Sequence, residues 1–136
     1  MVIILDDERV VTEGLALALE QDGRTVITCN DLESAELALQ WFTPTHVVTD
    51  VRLSGPFAFE GLDFIRYAKQ HSLETKIILM TGNPSDALQL EASQRGAISF
   101  LQKPFEVQEL ATVIDVSSPI TNGDGPAVVV RMPLLE

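Results

Sequence analysis

Apolar residues fall into five short runs, at residues 2–5, 25–28, 46–49, 76–80 and 97–101, separated by longer stretches of helical periodicity. Runs this short are strand length. Those within HVVTD and KIILM are apolar at consecutive positions, as in strands buried on both faces. Between the first two runs, Val11, Leu15, Ala18 and Leu19 predict a helix over about residues 8–21, stopped by Gly23. Leu32, Ala35, Leu39 and Phe42 predict a second, with Asn30 as its cap, Glu33 as the capping-box partner and Pro44 closing the segment. Leu62, Ile65 and Ala68 predict a third, ending before His71. Asn83-Pro84 predicts the start of a fourth, a cap followed by proline at the first helical position, and Gly96 stops it. Val107, Leu110, Ala111 and Ile114 predict the fifth. Strict alternation of strand and helix reads as a parallel sheet with helices on both faces.

The polar residues at the ends of these runs change the picture from fold to chemistry. Asp6 and Asp7 follow the first run, Asp50 the third, Thr81 the fourth and Lys103 the fifth. In an open parallel sheet, ligands bind outside the carboxyl ends of the strands. Three carboxylates, a hydroxyl and an ammonium are therefore expected at one edge. The acids suit a hard cation such as Mg²⁺. The ammonium and hydroxyl suit a phosphoryl group beside it. Each residue also has a plainer reading. Asp6-Asp7-Glu8 can serve only to meet a helix dipole. Asp50 can cap a loop, Thr81 can form a local turn, and Lys103 can be a solvated loop lysine. Coincidence at four strand ends favours the site. Three close carboxylates repel, so without a cation they titrate as a coupled set.

At 136 residues the chain is of single-domain size, and its apolar share of nearly half argues against disorder. A net charge of −11 argues against direct binding to nucleic acid or an anionic membrane. A lone cysteine, Cys29, excludes an internal disulfide and reads as a packed or half-exposed thiol at a strand end. His46 and His71 have no metal-ligand companions at suitable spacing. No apolar stretch reaches the roughly 20 residues of a membrane span. Asp6 interrupts the first run too early for a signal peptide, which leaves the cytoplasm as the expected location. Past Val116 the chain turns rich in Ser, Pro, Asn, Asp and Gly, then apolar again over residues 127–135. That tail can be a sixth strand, a dimer-forming extension or the beginning of a further domain. The expectation taken here is a domain over residues 1–116, with a linker and tail at 117–136 outside its core.

Four motifs in order, ILDDE at 4–8, VVTDVRL at 47–53, IILMTG at 77–82 and FLQKPF at 100–105, resemble the receiver domain of two-component response regulators. The resemblance covers residues 1 to about 116. It implies a flavodoxin-like α/β fold, a doubly wound five-stranded parallel sheet of strand order 2-1-3-4-5. It implies that Asp50 accepts a phosphoryl group from a histidine kinase or phosphotransfer protein, with Mg²⁺ as cofactor. By the same resemblance Asp7 and Asp50 ligate Mg²⁺ directly, with the backbone carbonyl of Arg52, and Asp6 acts through a bound water. Thr81 bonds one phosphoryl oxygen and Lys103 pairs with another. The Lys103–Pro104 peptide is expected to be cis. Phe100 matches the aromatic that swings inward on phosphorylation. Such a module is a phosphoacceptor rather than an enzyme with a separate substrate; it carries out its own phosphotransfer and autodephosphorylation. A homodimer stays open, and any output domain is expected to be absent from this chain.

The sequence departs from that family in one loop. Ser54 stands where proline is usual, four residues after Asp50, and Gly61 lies eleven residues after it rather than about eight. The loop is thus about three residues longer. Its Phe57 and Phe59 either pack on the third helix or cover the site and meet a partner. Two other classes fit less well. A haloacid-dehalogenase-like phosphatase needs Asp-x-Asp and a late acidic pair, neither of which is present. A flavodoxin-like or pseudo-receiver module needs a phosphate loop or a missing key residue, whereas Asp-Asp-Glu-Arg would repel a flavin phosphate and every key residue is present.

Overall fold

The computed structural model describes residues 1–51, 60–118 and 127–135. The expected units form in order: β1 (Val2–Leu5), α1 (Arg9–Gln21), β2 (Val26–Cys29), α2 (Leu32–Trp41), β3 (His46–Asp50), α3 (Glu60–His71), β4 (Lys76–Thr81), α4 (Asp86–Gln94), β5 (Ala97–Gln102) and α5 (Val107–Ser117). A further strand, β6 (Val129–Arg131), follows. All pairings are parallel, and the sheet runs β5-β4-β3-β1-β2-β6. The 2-1-3-4-5 order is therefore present within a sheet of six strands, not five.

The sixth strand corrects the expectation that the tail lies outside the core. Val129, Val130 and Arg131 stand opposite Val26, Ile27 and Thr28 of β2. Met132 is buried in the cluster beneath α2 and α3. An edge strand with open N–H and C=O groups pairs with whatever extended apolar segment lies in reach, and this chain supplies its own.

Covering both faces explains why the strands are apolar at successive positions. Val2 and Ile4 of β1 pack with Leu15 and Leu19 of α1 and with Leu110 and Ile114 of α5. Ile3 and Leu5 pack on the opposite face with Leu39 of α2 and Phe64 and Ile65 of α3. Gly23, at φ +83°, ends α1. Its N–H bonds Glu20 O and the next N–H, of Arg24, bonds Leu19 O, which satisfies the last carbonyls of the helix.

Two caps fall elsewhere than expected. Asp31, not Asn30, caps α2, accepting from Ser34 N at 2.8 Å. Ser85, not Asn83, caps α4, accepting from Leu88 N at 3.1 Å. Each capping oxygen sits three residues before the N–H it takes, and in both places the residue nearer the helix reached that N–H. Asn30 and the backbone of Asn83 turn instead toward the carboxyl edge of the sheet.

Candidate phosphoryl and cation site at the carboxyl edge

Register brings the predicted residues together. Leu5 lies opposite Thr49, Asp50 opposite Met80 and Thr81 opposite Gln102, so the strands end at one level. Asp6 and Asp7 leave β1 there, Asp50 closes β3, Thr81 closes β4 and Lys103 leaves β5. Short backbone bonds fix the loops: Asp6 N to Cys29 O at 3.1 Å, Val51 N to Met80 O at 3.2 Å, and Lys103 N to Thr81 O at 2.7 Å. The Lys103–Pro104 peptide is cis, as expected.

Lys103 is the hub. Its Nζ donates to Asp6 Oδ2 at 2.5 Å and to Asp50 Oδ2 at 2.6 Å. Asp6 is fully buried and Asp50 nearly so. Burial pushes the Asp6 carboxyl up from its ordinary range, although Lys103 and the Glu8 N–H, 2.9 Å from Oδ1, both pull it down. Burial by itself would lower the Lys103 ammonium, but its bonds to Asp50 and Asp6 outweigh that and raise it. The ammonium is thus firmly charged and holds two carboxylates that would otherwise repel.

Carboxylates of Asp6, Asp7 and Glu8 lie with an oxygen each within 4.8 Å of one another. Asp7 and Glu8 are exposed beside buried Asp6. Oxygen-only donors, partly open to water, fit a hard divalent cation. Glu8 was not among the predicted ligands; its place in the DDE run was the only signal. Arg52, with Ser54, Phe57 and Phe59, lies outside the described residues.

The Thr81 hydroxyl is buried and accepts from Asn83 N at 3.2 Å, a local turn that leaves its own O–H to donate. Phe100, opposite Leu79, is half-buried against the core and lines a crevice of about 130 Å³ with Gln89, Ala92 and Ser93 of α4. Two residues near the acids had no predicted part in the site. A Cβ on Gly61 would lie 1.9 Å from the Asp50 carbonyl oxygen, so only glycine lets α3 start there. Asn30 donates to the Asp6 carbonyl at 2.9 Å.

Of the remaining candidates, Cys29 is completely buried, and burial pushes its thiol up to about 12. Trp41 is exposed, while Phe42 packs against the core. No helix among the described residues is long and apolar enough to cross a membrane.

Known proteins share this architecture. The family model for the response regulator receiver domain matches residues 2–115. The chain is 30% identical over 114 residues to the transcriptional regulatory protein FixJ of Bradyrhizobium diazoefficiens, covering 84% of this chain and 54% of FixJ. It is 28% identical to the DNA-binding transcriptional regulator NtrC of Salmonella typhimurium, covering 85% of this chain and 24% of NtrC. The chain thus spans about half the length of the first relative and a quarter of the second. Among solved structures, the beryllofluoride-activated NtrC4 receiver domain dimer superposes with a TM-score of 0.77 at 31% identity, over 85% of this chain and 93% of that one. The receiver domain of NtrX from Brucella abortus superposes with a TM-score of 0.77 at 26% identity, over 86% and 97%. Since the family model runs from the first residue of β1 nearly to the end of α5, the chain belongs to the response-regulator receiver domain family.

Proposed function

We propose that this receiver domain accepts a phosphoryl group on Asp50 from a histidine kinase or phosphotransfer protein, with Mg²⁺ as cofactor. The observation that carries the reading is the Asp50 carboxylate at the end of β3, 2.6 Å from Lys103 and sharing that lysine with Asp6. A carboxylate oxygen of Asp50 attacks phosphorus. The bond from phosphorus to the donor's imidazole nitrogen breaks, that nitrogen keeps the electron pair, and an acyl phosphate forms. Lys103 passes from Asp50 to a phosphoryl oxygen, and the Thr81 hydroxyl donates to another. Asp7 and Asp50 would hold the cation directly, with the carbonyl of Arg52, and Asp6 would act through a bound water. A cation held there would supply positive charge for the transferring oxygens. Water later attacks the same phosphorus and restores the carboxylate, so the chain acts on itself rather than on a separate substrate.

The phosphoryl group can bias the domain only through contacts that differ between two states. Thr81 and Lys103 supply those contacts, and Phe100 lies on β5, the strand that Lys103 follows. The surface of α4, β5 and α5 is the proposed readout. FixJ and NtrC are named as transcriptional regulators. For this acidic chain we take the readout to be a protein contact, a second copy included, rather than DNA.

Incubation with acetyl phosphate and Mg²⁺ should add one phosphoryl mass to the wild type and none to Asp50→Asn. Retention of the adduct by Asp50→Asn at wild-type yield would overturn the assignment.

A further inference from the structure

Asn30 bonds the backbone of the acid pair, and the C-terminal strand bonds residues next to Asn30 and to Thr12. Asn30 Nδ2 donates to Asp6 O at 2.9 Å and to Thr12 Oγ1 at 3.0 Å. Thr12 is fully buried and donates its own O–H to Arg9 O at 3.1 Å. The turn after β2 and the first turn of α1 are therefore pinned together across the backbone that carries Asp6 and Asp7.

The tail grips the immediate neighbours of both pins. Arg131 Nε and Nη2 bond Glu13 Oε1 and Oε2 at 2.7 and 2.9 Å, one residue beyond Thr12. Leu135 N bonds Asp31 Oδ2 at 2.8 Å, one residue beyond Asn30. Met132 N bonds Thr28 O at 2.9 Å, and its side chain is buried. Asp31 caps α2 with its other oxygen, so the turn is held from the helix side and the tail side at once.

We propose that Asn30 is a positioning residue for the Asp6–Asp7 pair and that docking of β6 holds it in place. Strand docking and divalent-cation binding at those acids are then linked. The proposal rests on the reading of these acids as a cation site. The direction of the Asp6 carbonyl sets the peptide that leads into Asp7. A hydrogen bond on that carbonyl, from an amide that Thr12 also holds, limits how far the peptide rotates. Linkage is reciprocal: if the docked tail favours the cation, the cation favours the docked tail by the same factor.

The test uses the full chain. Magnesium chloride is titrated calorimetrically into wild type, Asn30→Ala, Arg131→Glu and the charge-swapped double variant Glu13→Arg with Arg131→Glu. Each single variant should bind Mg²⁺ about fivefold more weakly, the low end of measured couplings, and the double variant should return toward wild type. Arg131→Glu makes the chain more negative, which by itself would tighten a cation, so weaker binding there reports lost docking. A second measurement needs no variant. In wild type, Mg²⁺ should slow amide exchange at Met132 and Leu135 by a larger factor than at the amides of β4. Wild-type affinity retained within about twofold by the single variants would overturn the inference and leave the cation site standing. So would equal slowing at the tail and at β4, and that measurement decides the matter if the variants fail to fold. Absence of Mg²⁺ binding by wild type would overturn the site reading itself, and the linkage with it.

Discussion

Gly61 of α3 and Asp50 of β3 are in backbone contact: a side chain of even one carbon on Gly61 would sit 1.9 Å from the Asp50 carbonyl oxygen and 2.9 Å from its carbonyl carbon. The Gly61 N–H also bonds Val51 O at 3.1 Å. The helix that follows the lengthened loop is thus seated directly on the residue proposed to take the phosphoryl group.

Gly61→Ala should therefore damage both stability and chemistry. Backbone atoms cannot step aside as a flexible side chain does, and overpacking of this kind costs about 1–3 kcal/mol. Urea unfolding should show that loss. The phosphoryl adduct from acetyl phosphate should fall with it, because β3 and α3 must separate at Asp50. A variant of wild-type stability would mean that the contact relaxes freely.

Replacing Lys103 by methionine should move cation binding and phosphoryl chemistry in opposite directions. Asp6 and Asp50 lose the ammonium that both share at 2.5 and 2.6 Å. Leaving a buried charge without its partner costs about 3–5 kcal/mol, less here because Lys103 keeps some contact with water. In chelator the variant should melt well below wild type. Mg²⁺ should then bind more tightly and raise the melting temperature further than in wild type, since no ammonium competes for the carboxylates. The adduct yield should fall, since no lysine meets the phosphoryl oxygen. Equal Mg²⁺ affinity in the two proteins would show that Lys103 does not compete with the cation.

His46 should make the domain sensitive to mild acid. The ring is completely buried between the Thr45 hydroxyl and Ser117 Oγ, each at 2.8 Å. Burial pushes it down to about 4 from an ordinary 6.5, and the nearby positive charges of Arg24, the N-terminus and Lys76 add to that. Between those two values the unfolded chain binds a proton that the folded chain does not. Stability therefore falls as pH drops from about 6.5 to about 4 and levels off below, a loss of about 3 kcal/mol. Asp6, whose carboxyl is raised, acts in the opposite sense, so the comparison must isolate His46. Urea unfolding from pH 7.5 to 4 should show a gap between wild type and His46→Gln that narrows as pH falls. A constant gap would place the acid sensitivity elsewhere.

Periodicity alone was enough for five βα units, because a strand covered on both faces must be apolar at consecutive positions and a helix on one face at every third or fourth. Position was enough for Asp6, Asp50, Thr81 and Lys103. In a parallel sheet every strand ends at the same edge, so a residue just past a run is assigned to that edge without knowing its neighbours. Distance along the chain misled where contacts are non-local. The run VVVR reads as a loose tail until β2 is seen to offer it an open edge about a hundred residues earlier. Asn30 and Asp31 are equally able to cap α2, and only the fold decides that Asp31 faces Ser34 N while Asn30 reaches Asp6. Gly61 looked displaced when counted from Asp50. In three dimensions it meets Asp50 through the backbone, because a loop can lengthen while the start of the helix after it keeps its place on the strand.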